Sequence, residues 1–361
     1  ESLVIMEQFS GTYKGKTVLL TGHTGFKGSW LSLWLYEMGA KVVGYSLEAP
    51  TSPSHIELLD LDIISVIGDI RDKDKLKDVF AKYTPDIVFH LAAQPLVRYS
   101  YENPVETFET NIMGSINVFE AARQTSSVKA IVNITSDKAY ENKEWIWGYR
   151  ENDAMGGYDP YSASKGAVEL IASSYRNSFF NNNDYGVKHH ILLASCRAGN
   201  VIGGGDWAED RLIPDIIRAV NNGEKVEIRS PKSTRPWQHV LEPLSGYLLV
   251  GQKLLEGKKE FAEGWNFGPS DEGSITVKEV VEYIKQYWDK IDYVINEDKN
   301  KLHEANLLKL DCSKAHFKLA WKAKWNSEQT FEKTVNWYRT YYENNEVNSL
   351  DQLRSYIKAK G

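Results

Sequence analysis

Tyr161 and Lys165 stand four residues apart in the segment Tyr158-Asp159-Pro160-Tyr161-Ser162-Ala163-Ser164-Lys165-Gly166-Ala167-Val168-Glu169. On a helix that spacing stacks both side chains on one face, where an ammonium lowers the proton affinity of a phenol. A free tyrosine titrates near pH ~10, so it needs such a neighbour to act as a base at neutrality. The pair is suited to act as a base at neutrality. The spacing alone is common, because an interfacial tyrosine beside a solvated lysine gives the same pattern. Its meaning rests on two further motifs.

Positioning such groups takes strands that end in turns, and the chain begins with one. Lys16-Thr17-Val18-Leu19-Leu20-Thr21 reads as a buried strand and runs into Gly22-His23-Thr24-Gly25-Phe26-Lys27-Gly28. Trp30, Leu31, Leu33, Trp34, Leu35 and Met38 then mark the apolar face of a helix that ends at Gly39. Strand, glycine turn and helix form the context of a dinucleotide site, since the glycines let backbone approach a pyrophosphate and the helix N-terminus offers unpaired N–H groups. A second strand, Ile131-Val132-Asn133-Ile134, ends in Thr135-Ser136-Asp137-Lys138-Ala139-Tyr140. Open parallel sheets hold ligands at the carboxyl ends of their strands, so this polar cluster lies where a substrate would.

Apolar strand-like runs recur at about 17–21, 41–45, 62–67, 86–91, 129–135 and 190–195. Helical patterns near 28–38, 72–83, 104–126 and 161–180 fall between them. This alternation predicts an α/β fold with a doubly wound parallel sheet and helices on both faces. After Arg197 the rhythm breaks. Ala208 to Asn221 reads as partly helical, interrupted or restarted at Pro214, and further helices are expected near 243–256, 276–289, 328–343 and 349–359. The division expected is a nucleotide-binding domain over 12–196 and a smaller, mostly helical substrate lobe over 197–361, with the chain crossing between them.

A formal charge of -6 gives no general attraction to nucleic acid or anionic lipid. Cys196 and Cys312 imply no disulfide framework, which makes a reducing cytoplasm the expected compartment. No apolar stretch reaches the length of a membrane span. The histidines lack ligand spacing, so no metal site is expected; His189 and His190, being adjacent, would point to opposite faces of a strand.

The Gly-x-x-Gly-x-x-Gly spacing resembles the extended branch of the short-chain dehydrogenase/reductase superfamily. Thr135-Ser136-Asp137-Lys138, Arg197-Ala198-Gly199-Asn200-Val201-Ile202-Gly203-Gly204-Gly205-Asp206-Trp207 and Arg235-Pro236-Trp237-Gln238-His239-Val240-Leu241-Glu242-Pro243 narrow this. From about residue 14 to 340 the chain resembles the CDP-D-glucose 4,6-dehydratases. The resemblance implies a Rossmann-type sheet, NAD as cofactor, CDP-D-glucose as substrate, a place in deoxysugar and O-antigen biosynthesis, and a homodimer or higher oligomer formed through the helices near 104–126 and 161–180.

The resemblance also implies roles. Ser136, Tyr161 and Lys165 form the triad, with Ser136 positioning the sugar alcohol; Asp137 is the acid for the departing 6-hydroxyl, and Lys138 is the C5 base or a stabiliser of the enolate. Sister dehydratases carry Glu where this chain has Lys138. The cofactor is expected against Gly22, His23, Thr24, Gly25, Phe26, Gly28, Ser46, Asp69, Ile70, Leu91, Ala92, Ala93 and Asn111, and against Tyr161 and Lys165 of the triad. The strand Lys41-Val42-Val43-Gly44-Tyr45-Ser46-Leu47-Glu48 carries Ser46 where an aspartate is usual, with Glu48 nearby and no following arginine to meet a 2′-phosphate, which favours NAD over NADP. The substrate is expected against Gln94, Asn200, Gly205, Arg211, Leu212, Arg229, Arg235, His239 and His303, with Arg229 and Arg235 clamping the diphosphate. The competing functions are a nucleotide-sugar 4-epimerase, which has no use for the Asp137-Lys138 pair, and a non-catalytic NAD-binding protein, which has no use for an activated phenol.

Overall fold

The computed structural model describes residues 2–228, 230–269, 274–296 and 307–359. Seven strands form one parallel sheet: β1 (Thr17–Thr21), β2 (Lys41–Ser46), β3 (Ile64–Ile67), β4 (Ile87–His90), β5 (Ala130–Ile134), β6 (Leu192–Ala198) and β7 (Gly264–Phe267). Their spatial order is β3-β2-β1-β4-β5-β6-β7, the doubly wound arrangement that the alternation predicts. The order reverses between β1 and β4, opening a crevice above Thr21 and His90, which pair in register.

Successive residues of a strand face opposite sides of the sheet, and each side has its own core. Val18 and Leu20 join Trp30, Trp34 and Leu244 in one apolar cluster, whereas Leu19 joins Val43, Phe80, Val118 and Phe119 in the other. Every residue of β5 and β6 is buried, as central parallel strands require.

Several elements depart from the expected boundaries. The pattern over 104–126 resolves into three pieces: the helix Pro104–Phe108, a π-helical turn Glu109–Met113 and the helix Gly114–Arg123. Pro214 does not break the helix Leu212–Asn222, because it lies in the first turn, where a missing N–H costs no intrahelical bond. The helix Leu241–Leu255 returns to the sheet, and Tyr13 donates a hydrogen bond to the Leu248 carbonyl at 2.6 Å. Four residues further along the sheet edge, Gly-Trp-Asn-Phe, form β7 and pair with Ser195 to Ala198. Ahead of β1, Ile5 on the short helix Ser2–Met6 is buried in the first core.

Candidate active site

The carboxyl ends of β1 to β6 open into a cavity of about 880 Å³, closed on the far side by the segments 205–214 and 230–237. At its floor Gly22 has φ +80, a left-handed conformation that favours glycine, and a side chain there would bring a Cβ within 2.8 Å of the Ala92 nitrogen. A Cβ on Gly28 would lie 2.0 Å from the Gly22 carbonyl oxygen. Gly25 opens the helix Phe26–Glu37 with no side-chain cap, leaving the first-turn N–H groups directed at the cavity end for an anionic ligand.

Each neighbouring strand end is held in place by a polar contact. Thr21 Oγ1 accepts from the Leu91 and Ala92 nitrogens, both at 3.1 Å, and meets His90 Nδ1 at 2.7 Å. Thr24 Oγ1 lies 2.8 Å from Ser46 Oγ and donates to the Leu47 carbonyl at 2.9 Å. Asp69 is forked by Arg71, with Arg71 Nη2 at 2.7 Å, which holds the Asp69 carboxyl below its ordinary range. Asn111, in the π-helical turn, accepts from the Gln94 nitrogen at 2.8 Å and donates to the Gln94 carbonyl at 3.1 Å and Ser164 Oγ at 2.9 Å.

The candidate reacting groups come from the turn after β5 and from the helix Pro160–Ser178. Asp159 caps this helix by accepting from the Ser162 nitrogen at 2.9 Å, and Pro160 supplies a fixed φ at its first position. Tyr161 thereby falls in the first turn, with Lys165 one turn on, its Nζ 5.9 Å from the Tyr161 ring centroid. Ser136 Oγ donates to Asp137 Oδ1 at 3.0 Å and accepts from the Lys138 nitrogen at 3.2 Å. Ser136, Asp137, Tyr161 and Lys165 are all buried, and all four line the cavity with the half-buried Lys138.

Burial pushes the Tyr161 phenol up to about 12, against the hydrogen bond from Ser136, which pulls it down; Asp137 raises it and Arg211 lowers it. Burial also brings the Lys165 ammonium down to about 8, opposed by Glu169. Lys165 is not among the groups that shift the phenol most; burial raises it, and the groups that favour the phenolate are Ser136 and Arg211.

A match to the family described as GDP-mannose 4,6 dehydratase spans residues 19–334. The chain belongs to this family. It is 54% identical over 351 residues to the CDP-glucose 4,6-dehydratase of Salmonella typhimurium, covering 96% of this chain and 98% of that protein. Among solved structures it is similar to the epimerase Mth375 of Methanothermobacter thermautotrophicus, with a TM-score of 0.80, 25% identity, and coverage of 94% of this chain and 97% of that one. The dTDP-glucose 4,6-dehydratase of Bacillus anthracis, solved in complex with NAD, shares the fold with a TM-score of 0.71 and 21% identity, over 92% of this chain and 98% of that one.

In this member of the family most residues expected from the sequence converge on the one cavity: the glycine turn, Thr24, Phe26, Ser46, Asp69, Ile70, Leu91 to Gln94, Asn200, Gly205, Arg211, Leu212 and Arg235. Three do not line it. His239 is fully buried, its ring 4.8 Å from Trp325 and 5.9 Å from Trp30, so aromatic packing claims it rather than a ligand. His23 packs against Gly44 and its Nε2 meets Ser65 Oγ at 2.7 Å, and Asn111 bonds Gln94, which lines the cavity, and Ser164 of the tyrosine helix. Arg229 and His303 lie outside the described residues.

Sequence reasoning missed three groups. Arg71 lines the cavity but is engaged by Asp69, and Lys27, inside the glycine motif, lines it as well. Glu169 ties the site together from behind. Its carboxylate accepts from Arg197 Nε at 2.8 Å and Nη2 at 2.9 Å and from the Thr135 hydroxyl, joining the tyrosine helix to the residue before Ser136. The signals were present as a lysine in a helix's first turn and a glutamate one turn beyond Lys165.

Proposed function

We infer that this enzyme dehydrates CDP-D-glucose to CDP-4-dehydro-6-deoxy-D-glucose with NAD as a regenerated cofactor. The observation that carries this is the convergence of Ser136, Asp137, Lys138, Tyr161 and Lys165 in one cavity of a chain 54% identical to a CDP-glucose 4,6-dehydratase.

The residues present fit NAD. Gly22 and Gly28 let the turn close against its own backbone and against Ala92, where a Cβ would collide, the uncapped helix N-terminus suits a diphosphate, and Ser46 with Glu48 suits a ribose hydroxyl and disfavours a 2′-phosphate. Arg71, which lines the same cavity, is engaged by Asp69. When bound, NAD supplies the hydride acceptor for C4 and the hydride donor for C6.

The chain's own residues manage the protons. Ser136 orients the sugar 4-hydroxyl, and Tyr161 takes its proton as C4 becomes a ketone. The ketone acidifies the C5–H bond. Lys138 removes that proton or holds the resulting enolate, while Asp137 gives a proton to the 6-hydroxyl, which leaves as water. A proton returns to C5 as C6 is reduced, so the net change is loss of one water. Arg211 and Arg235 suit the diphosphate of the substrate.

The same reading gives the finer organisation. Residues 12–196 hold the cofactor and 197–361 mainly the substrate, with β7 returning to the sheet. Exposed Val105, Phe108, Met113, Leu170 and Phe179 support a homodimer through the helices near 104–126 and 161–180. Buried Cys196 and Cys312, neither in a disulfide, support a cytoplasmic setting, and no helix among the described residues is long and apolar enough to cross a membrane. Incubation with CDP-glucose and NAD tests the assignment: a 4-keto-6-deoxy product upholds it, and a C4 epimer or no turnover rejects it.

A further inference from the structure

Lys27 occupies the second position of the helix Phe26–Glu37, immediately beyond Phe26 and the opening Gly25. A cation there opposes the helix dipole, and the first turn holds no acidic residue to offset it. Its side chain is half-buried and lines the cavity. Among the described residues its ammonium makes no hydrogen bond or ion pair.

The charged groups that face it come from three other segments: Lys165 from the tyrosine helix, Arg211 ahead of the helix Leu212–Asn222, and Asp137 with Lys138 after β5. Burial, with Lys165 and Arg211 adding to it, brings the Lys27 ammonium down to about 8, against a weaker pull from Asp137. Arg211 already has its own carboxylate, Asp206 at 2.9 Å. Lys165 is offset by Glu169, which leaves Asp137 as the carboxylate that offsets Lys27 beside Lys165, Arg211 and Lys138. Such an excess of positive charge in a cavity calls for an anion, and a neutral hexose cannot supply it.

We propose that Lys27 is a diphosphate-binding residue, the cation that the glycine turn places against a phosphate of the nucleotide ligand. The inference rests on the nucleotide assignment made above, and both NAD and CDP-glucose carry the required group. Lys27 thus adds a point charge to the backbone N–H groups of its own helix, which by themselves offer only partial charges.

The test is calorimetric titration of the purified full chain, as wild type, Lys27→Met and Lys27→Arg, with NAD and separately with CDP. Lys27→Met should weaken one of the two by about 10- to 100-fold, the scale of one charge-assisted hydrogen bond. Lys27→Arg should retain most of the affinity, and both variants should unfold at the wild-type temperature. A loss confined to NAD assigns the cofactor's diphosphate, and a loss confined to CDP assigns the substrate's; either upholds the proposal. Unchanged affinities in Lys27→Met, with wild type binding both nucleotides, would overturn this inference alone. Equal losses in both variants together with a lowered unfolding temperature would return Lys27 to a structural role. A wild type that binds neither nucleotide would overturn the functional assignment as well.

Discussion

Thr135 donates its hydroxyl to Glu169, whose other bonds are the two from Arg197. This fastens the residue before Ser136 to the helix that carries Tyr161 and Lys165, so the two halves of the site hold their spacing through a buried carboxylate. Arg197 extends the link by donating to Tyr140 at 2.6 Å, and Tyr140 donates to Asn266 of β7 at 2.8 Å. Arg197 and the two hydrogen bonds hold the Glu169 carboxyl below its ordinary range although burial pushes the other way.

Glu169→Gln should leave the Arg197 guanidinium buried without its counter-charge. Removing one partner of a buried pair costs about 3–5 kcal/mol, so urea unfolding should show a loss of that order. A loss under about 1 kcal/mol would mean that water or another group compensates the arginine.

Tyr161→Phe deletes one hydroxyl and little volume. The fold and nucleotide binding should persist, while kcat falls by about 10²–10⁴-fold, the usual contribution of a positioned base. A variant that keeps more than half of wild-type turnover would remove Tyr161 from the mechanism.

Lys138→Ala separates the two halves of the reaction. Oxidation at C4 should proceed and elimination should stop, so absorbance of the reduced cofactor should build up on addition of CDP-glucose without 4-keto-6-deoxy product. Near-normal turnover with intact hydrogen exchange at C5 would exclude Lys138 both as base and as enolate stabiliser.

The sheet was legible because β1 to β6 are apolar runs spaced by helical patterns, and the glycine turn was legible because its spacing serves a close backbone approach. The strand β7 was not. Gly264-Trp265-Asn266-Phe267 is four residues long and includes a glycine and an asparagine, and only pairing with β6 makes it a strand. The candidate residues Ser136, Asp137, Lys138, Tyr161 and Lys165 were singled out by their types and line one cavity, but His239 could not be told from a pocket residue, because its place between Trp30 and Trp325 depends on tertiary packing. Lys27 is not marked by the glycine spacing, which serves the backbone approach and leaves the intervening side chains open.

Buried histidines should make the fold acid-sensitive. Burial lowers His55, His90 and His239 to about 3, with Lys165 adding to the effect at His90. Below the unfolded value of about 6.5 the unfolded chain takes up protons that the native state refuses, so this stability is full above that pH and is lost progressively toward pH 3. Each such group contributes a slope of ~1.4 kcal/mol per pH unit within the window. Urea unfolding of His90→Asn should show a shallower loss between about pH 6 and pH 4.5 than wild type. Parallel slopes would show that His90 is protonated in the native state.

The transfer of hydrogen within the sugar tests the dehydration itself most directly. CDP-glucose labelled with deuterium at C4 should be converted, in ordinary water with catalytic NAD, to a 4-keto-6-deoxy product that carries the label at C6 and a solvent hydrogen at C5. Label found at C4 of an epimerised sugar, or lost to solvent without a 6-deoxy product, would contradict the assignment.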